Sequence, residues 1–424
     1  MMKIFIFSLL MLSCHCVSTQ TQESNSTSYY YQHWCDADGP TSLEYLDDSR
    51  CQKQFPSSFS RDWQCRTLSS DLSGFYPDGP IESIFVNTSG IPAALKDALA
   101  LLNWQAIVVR RDAKGQAYYK YVASGTQQEA WETWSSSKIF AVANAAGRLR
   151  EEGGCSFGLN GATTGEHGMT PLGDLQTIIT SYDTTQGYTS NGLAAYFQNV
   201  GNRSRLDAFV QQGLQQGPSQ TLGGNYGEPV PSDLGYKYVD YAVPQDQRVC
   251  SVVPDLSGPV FQNHISAFTA AELTRRIVLF RETIPENRFP GEAWTDVQDQ
   301  LYGADPSLLF PGLQWGGMST DTAIFLQAAI NMTQVSQQSL GHWRIFSKLG
   351  AGYSTSRDRG EITYNSYACL PVLDPSTLDP SLNQGLEFVI SARSSVPYDT
   401  SLKQAQAIMH QGINAIVHYL QSTY

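Results

Sequence analysis

After Asp399, the apolar residues Leu402, Ala405, Met409, Ile413, Ile416 and Leu420 follow one another at intervals of 3, 4, 4, 3 and 4. That spacing lines one face of an α-helix. The same period predicts a helix over residues 269–280, with Leu273, Ile277 and Phe280 on one face and Arg275 and Arg276 on the other. Shorter helical patterns cover residues 171–180, 193–197, 206–214 and 320–330. Another, over 92–102, opens on Pro92, which suits a first helical turn. Runs rich in β-formers occupy 104–111 and 116–122, and the turn between them contains Gly115, so they read as a hairpin. Further strands are predicted at 343–348, 362–368 and 386–392. Residues 217–258 show no period and read as a long ordered loop.

The resulting order is helix, hairpin, helical insert, strands, helix. Both ends of the chain are therefore expected to share one sheet, with helices on its faces, while the middle forms a helical lobe. In this division residues 91–134 and 341–424 make the sheet lobe and 135–340 the helical lobe. The cleft between two such lobes is a common place for ligands.

Composition narrows the function. Of 424 residues, 41% are hydrophobic and 16% charged, enough for a large ordered core. The net charge of −12, with no block of lysine and arginine, argues against a nucleic-acid partner. Lys3 followed by the apolar run Ile4–Leu12 resembles a secretion signal, so residues 1–20 are set apart from the fold. That run is too short for a stable membrane span. Six cysteines lie beyond it, Cys35, Cys51, Cys65, Cys155, Cys250 and Cys369, an even number that suggests disulfides in a secreted protein. Asn-x-Ser/Thr triplets at Asn25, Asn87, Asn202 and Asn331 are potential glycosylation sites. Secretion is the expected localisation, or a periplasmic or lipid-anchored one for a bacterial protein. Residues 21–90 read as a cysteine-bearing, loop-rich extension. No metal or other cofactor is expected, since no Cys-x-x-Cys or His cluster stands out.

The candidate chemistry centres on Thr133-Trp134-Ser135-Ser136-Ser137-Lys138. The helical run Ile139, Phe140, Val142, Ala143, Ala146, Leu149 follows it directly. Ser135 and Lys138 are thus one turn apart on one face. A serine hydroxyl needs a base to become a nucleophile, and a lysine serves if burial or a second cation lowers its pKa. Free N–H groups at the helix start can receive the negative charge of an attacked carbonyl.

This Ser-x-x-Lys, opening a helix after a hairpin, resembles the serine β-lactamase and penicillin-binding protein superfamily, most closely its class A-like β-lactamases. Ser347-Lys348-Leu349-Gly350-Ala351 is similar to that family's Lys-Thr/Ser-Gly strand and stands at the matching place in the order. The family carries a hydroxyl where this chain has Leu349. By the resemblance, Lys348 adds positive charge beside Ser135, Gly350 lets substrate approach the strand, and the backbone N–H groups of Ala351 and Ser135 form an oxyanion hole. The second family motif aligns either as Thr189-Ser190-Asn191, which retains the asparagine, or as Tyr188-Thr189-Ser190, which offers a tyrosine. Glu228-Pro229, in the aperiodic loop, is similar to the segment that carries the deacylating glutamate. The resemblance implies an α+β, β-lactamase/DD-peptidase-like fold: an antiparallel sheet flanked by helices from both chain ends, with an inserted all-helical lobe. It also implies a secreted serine hydrolase acting on a small-molecule or peptide amide, lactam or ester. The competing reading is a catalytically inactive secreted glycoprotein that keeps the fold as a binding or structural module.

Overall fold

The computed structural model describes residues 60–79, 99–156, 158–159, 161–164, 170–181, 187–240, 249–256, 263–303, 318, 325–326, 329–400 and 402–424. The signal segment, Cys35, Cys51, Asn25, Asn87 and most of the expected helices at 92–102 and 320–330 lie outside those residues. Leu102, placed at the end of a helix by the sequence pattern, instead begins a strand.

The strands are β1 (Tyr76–Pro77), β2 (Leu102–Arg111), β3 (Ala117–Ala123), β4 (Ala130–Glu132), β5 (Ala162–Thr164), β6 (Thr170–Pro171), β7 (Lys237–Asp240), β8 (Val249–Ser251), β9 (His264–Ser266), β10 (Arg344–Ser354), β11 (Arg359–Leu370) and β12 (Leu386–Pro397). The helices used below are α1 (Lys138–Glu151), α2 (Leu172–Ser181), α3 (Ser190–Gly201), α4 (Arg203–Ala208), α5 (Ala267–Val278), α6 (Trp294–Tyr302), α7 (Met332–Ser339) and α8 (Leu402–Thr423).

One antiparallel sheet has the order β1-β3-β2-β12-β11-β10, so strands from the two ends of the chain join side by side where β2 pairs with β12. The architecture is α+β, as expected. Alternate residues of β2 enter different cores, as the two-residue pleat requires. Trp104, Ala106 and Val108 of β2 pack with Met409, Ile413, Ile416 and Leu420 of α8 on one face. Ile107 and Val109 pack with Phe268, Leu273 and Ile277 of α5 on the other. A sheet covered on both faces explains the unbroken apolar run at 106–109. Each fully buried Ile, Leu or Met of α8 contributes about 1.5–3 kcal/mol of burial free energy.

α1 is the central strut of the second lobe, and its side chains are buried from Lys138 through Leu149. Ile139 and Phe140 face the sheet core, while Ala141, Val142, Ala145 and Leu149 face α2 and α3. Where α1 meets α3, a Cβ on Gly201 would stand 2.6 Å from Asn144 Nδ2 and 3.0 Å from Ala145 N, so only glycine permits the close approach. Asn144 Nδ2 donates to Gly201 O (2.7 Å) and Arg148 Nη1 to Val200 O (2.9 Å), satisfying carbonyls at the end of α3.

Three further expectations change. Small sheets also form, β4 with β9 across the boundary of the two lobes and β6-β5-β7-β8 within the inserted lobe, and β7 and β8 lie in the segment read as an aperiodic loop. Their strands run two to four residues, too short to register as alternation. The helix expected at 206–214 is α4 followed by a π-turn over Phe209–Gly213. Finally, residues 60–79 belong with the sheet lobe, although the sequence boundary falls at 90. Trp63, Cys65 and Phe75 are buried in its cores, β1 pairs with β3, and Cys65 is disulfide-bonded to Cys369 of β11. A second disulfide joins Cys155 to Cys250. Both fit an oxidising compartment. Among the described residues no helix is long and apolar enough to cross a membrane.

Candidate functional site

Ser135 sits in a single 3₁₀ turn, Trp134–Ser137, that runs straight into α1. Thr133, just before it, is fixed by two hydrogen bonds to Asn263 O, from its N (2.9 Å) and its Oγ1 (3.1 Å). Trp134 has φ +48°, a left-handed conformation that is an outlier for a bulky side chain. Such a backbone costs of the order of 1–3 kcal/mol and persists only where its surroundings hold it. Ser135 is half-buried, and Ser136 and Ser137 are buried. The neighbouring hydroxyls are engaged: Ser136 Oγ donates to Thr133 O (2.6 Å) and Ser137 Oγ to Trp134 O (3.0 Å). The Ser135 hydroxyl makes no hydrogen bond among the described residues.

Lys138, one turn on, is only 1% exposed. Its Nζ donates to Ser190 Oγ (3.0 Å) and Asn191 Oδ1 (2.6 Å) at the start of α3. Burial holds this ammonium well below the usual lysine range; the Lys348 charge pushes it the same way, and Glu228 opposes both. The Tyr226 ring lies 5.7 Å from Nζ, and its hydroxyl, pushed up to about 12 by burial, hydrogen-bonds Ser137 Oγ (3.1 Å).

The loop carrying Tyr226 and Glu228 docks on the start of α3. A Cβ on Gly192 would lie 3.0 Å from Pro229 O, which shows how closely they approach. Asn191 Nδ2 donates to Glu228 Oε1 (3.0 Å), and Thr189 Oγ1 donates to Glu228 Oε2. Thr189 also caps α3 by accepting from Gly192 N (3.1 Å). A continuous path therefore runs from Lys138 through Asn191 to Glu228. Tyr188, the other motif candidate, is turned elsewhere: its hydroxyl donates to Asp233 Oδ2 (2.6 Å). Of the two alignments, the one with Asn191 brings its side chain to Lys138.

β10 closes the opposite wall. A Cβ on Gly350 would stand 2.7 Å from Ser135 N and 2.6 Å from both Ser136 N and Thr363 Oγ1, so the strand lies directly on the serine turn. Thr363, opposite Gly350 in the register, donates to Thr133 O (2.8 Å). Asn365 Nδ2, opposite Lys348, donates to Ser136 O (3.2 Å). Lys348 is fully buried, and its Nζ donates to Leu349 O (3.1 Å). Leu349 points the other way, into the core with Ile345 and α8. An apolar residue there is a packing choice on the far face of the sheet. Ala351 follows, half-buried, on the same strand.

The structure thus links Lys138, Asn191 and Glu228 in one hydrogen-bonded path and lays Gly350 of the Lys348–Ala351 stretch on the Ser135 turn, while the Tyr188 hydroxyl bonds Asp233 instead. Sequence reasoning missed Ser190, Tyr226 and Thr363. Ser190 stands inside the motif that was read, but its orientation could not be seen. Tyr226 and Thr363 carry no local signal.

No protein-family profile matches this chain, and no curated protein matches it. It is similar to solved structures. One is a β-lactamase from Burkholderia vietnamiensis, with 13% identity, 79% of this chain and 99% of that chain covered, and a TM-score of 0.41. Another is the chromosome-encoded β-lactamase of Vibrio parahaemolyticus, with 10% identity, coverage of 78% and 98%, and a TM-score of 0.39. A third is a variant of the class A β-lactamase of the last common ancestor of Gram-negative bacteria, with 13% identity, coverage of 76% and 94%, and a TM-score of 0.40.

Proposed function

We propose that the protein is a secreted serine hydrolase of the β-lactamase type, acting on an amide, lactam or ester through an acyl-enzyme on Ser135. The observation that carries this reading is the buried Lys138, its ammonium destabilised by burial and by Lys348, one helical turn from a half-buried serine whose N–H lies against Gly350.

In this reading Ser135 Oγ attacks the substrate carbonyl carbon while neutral Lys138 takes its proton. Ser190 Oγ and Asn191 Oδ1 accept from Lys138 Nζ and hold it at the start of α3. The oxyanion rests on the N–H groups of Ser135 and Ala351. On collapse the C–N or C–O bond breaks, and the leaving group receives the proton held by Lys138, with Lys348 balancing charge. Water then attacks the acyl-enzyme; Glu228 takes its proton and returns it to Ser135 Oγ as the acid departs. Asn191, bonded to both Lys138 and Glu228, links the two half-reactions.

The test is covalent. A β-lactam or fluorophosphonate probe is expected to add its mass at Ser135 in the wild type and not in Ser135→Ala. A wild-type protein with no adduct at saturating probe refutes the reading. The alternative, a non-catalytic secreted module on the same fold, draws support from one observation: the Ser135 hydroxyl is not hydrogen-bonded to Lys138.

A further inference from the structure

We propose that Glu361 is a positioning residue for the nucleophile: it anchors the Trp134 indole and, through Trp134, fixes where Ser135 stands. This rests on the reading of Ser135 as nucleophile.

Trp134 bears the left-handed backbone immediately before Ser135. Its indole is held on two sides by residues that face each other across β10 and β11, Gly352 and Glu361. A Cβ on Gly352 would fall 2.3–2.7 Å from three indole carbons, so the ring lies against bare backbone that no other residue type would leave open. Trp134 Nε1 donates to Glu361 Oε2 (3.1 Å). Among side chains that could fill this slot, a phenylalanine would supply the ring but not the donor.

The carboxylate cannot swing away, because it is 1% exposed and pinned by cations. Arg357 donates to both oxygens, Nη2 to Oε2 (2.6 Å) and Nε to Oε1 (3.3 Å), and Arg393 Nη1 stands 3.9 Å from Oε1. Arg357 in turn reaches Glu132 Oε2 (2.8 Å) on β4 and His264 Nε2 (3.1 Å) on β9. β4 leads directly into Thr133, whose backbone is tied to Asn263. The residue before the nucleophile is therefore clamped by its side chain to the sheet lobe, and the one before that by its backbone to the other lobe. Neither clamp touches the reacting atoms. Their common effect is to hold a strained backbone in one conformation where the hydroxyl must be aimed.

The experiment compares full-length wild type, Trp134→Phe, Glu361→Gln and Glu361→Ala by amide hydrogen exchange over residues 133–138 and by the rate of probe addition at Ser135. Trp134→Phe is expected to speed exchange in that segment about tenfold or more, with β11 and β12 unchanged. It is also expected to slow acylation roughly 10- to 100-fold with probe affinity retained. Glu361→Gln keeps an oxygen to accept the indole N–H, and should recover most of the protection that Glu361→Ala loses. Unchanged exchange in Trp134→Phe, or a Glu361→Gln as loose as Glu361→Ala, overturns the proposal. If Glu361→Ala does not fold, Trp134→Phe becomes the loosened reference, and a Glu361→Gln that exchanges as fast as Trp134→Phe overturns the proposal. A wild type that takes no adduct refutes the hydrolase reading instead, and the exchange data still decide the clamp.

Discussion

Gly350→Ala is the sharpest perturbation of the site. The added methyl carbon would stand 2.6–2.7 Å from Ser136 N, Thr363 Oγ1 and Ser135 N, where ordinary contact begins at 3.4 Å. Two of these three are backbone atoms of the serine turn, which no side-chain rotation relieves. β10 and the turn must separate by about 0.7–0.8 Å, and overpacking on that scale costs roughly 1–3 kcal/mol. For a chain of this size that is a drop in Tm of about 1–4 °C. The effect on chemistry is larger. A displacement near 1 Å at a reacting centre costs up to about 100-fold, and here it would open the gap between the Ser135 and Ala351 N–H groups. Acylation by a chromogenic β-lactam or a fluorophosphonate should slow by roughly 10- to 100-fold, followed by intact-mass spectrometry, while circular dichroism reports an intact fold. A Gly350→Ala protein with wild-type Tm and an acylation rate within about twofold of wild type would refute the contact between β10 and the serine turn.

Three further outcomes follow from the same geometry. Lys138 is depressed in the folded state relative to its unfolded value of 10.5, so below that pH the unfolded chain binds more protons there. The penalty for burying the charge is full at low pH and is relieved as pH rises through the folded pKa. Relative to Lys138→Met, the wild type should gain Tm as pH rises toward 10, and its acylation rate should rise with pH only until the Lys138 ammonium has lost its proton; a pH-independent difference in melting temperature would show that Lys138 is not depressed. Glu228→Gln should leave acylation nearly intact but prolong the adduct by about 10²- to 10⁴-fold, read by mass spectrometry over time, and equal lifetimes would remove Glu228 from the water step. Cys65→Ser with Cys369→Ser opens a link spanning 304 residues and should cost roughly 2–5 kcal/mol in denaturant melts; non-reducing peptide maps that fail to join those two cysteines would refute the pairing.

The central elements were legible in the chain because their signal is local. The interval pattern after Asp399 gave α8 and its buried face, and the runs at 104–111 and 116–122 gave β2 and β3. The Ser135–Lys138 spacing put both side chains on one turn whatever surrounded them, since helix geometry alone relates positions i and i+3. Net charge and cysteine content needed no fold to be informative. What could not be read was contact between segments remote in sequence. Whether Tyr188 or Asn191 belongs to the site turns on how α3 meets α1. Glu228 matters because its loop docks 37 residues away on Asn191, a distance over which no period carries information. Leu349 looked like a change in the site and proved to be core, because a strand's alternation tells which residues share a face but not which face looks into the cleft. The same holds for residues 60–79, whose composition reads as loop while Trp63, Cys65 and Phe75 complete the sheet's cores. Trp134 marks the boundary most clearly. Its indole is visible in any reading of the sequence, but its φ of +48° and its grip on Glu361 are set by Gly352 and Arg357, more than 200 residues further along the chain. Sequence by itself determined the period and order of the elements and the one-turn spacing of Ser135 and Lys138. The tertiary structure decided which charges face which, because burial and opposed positions exist only once the two ends of the chain have joined one sheet.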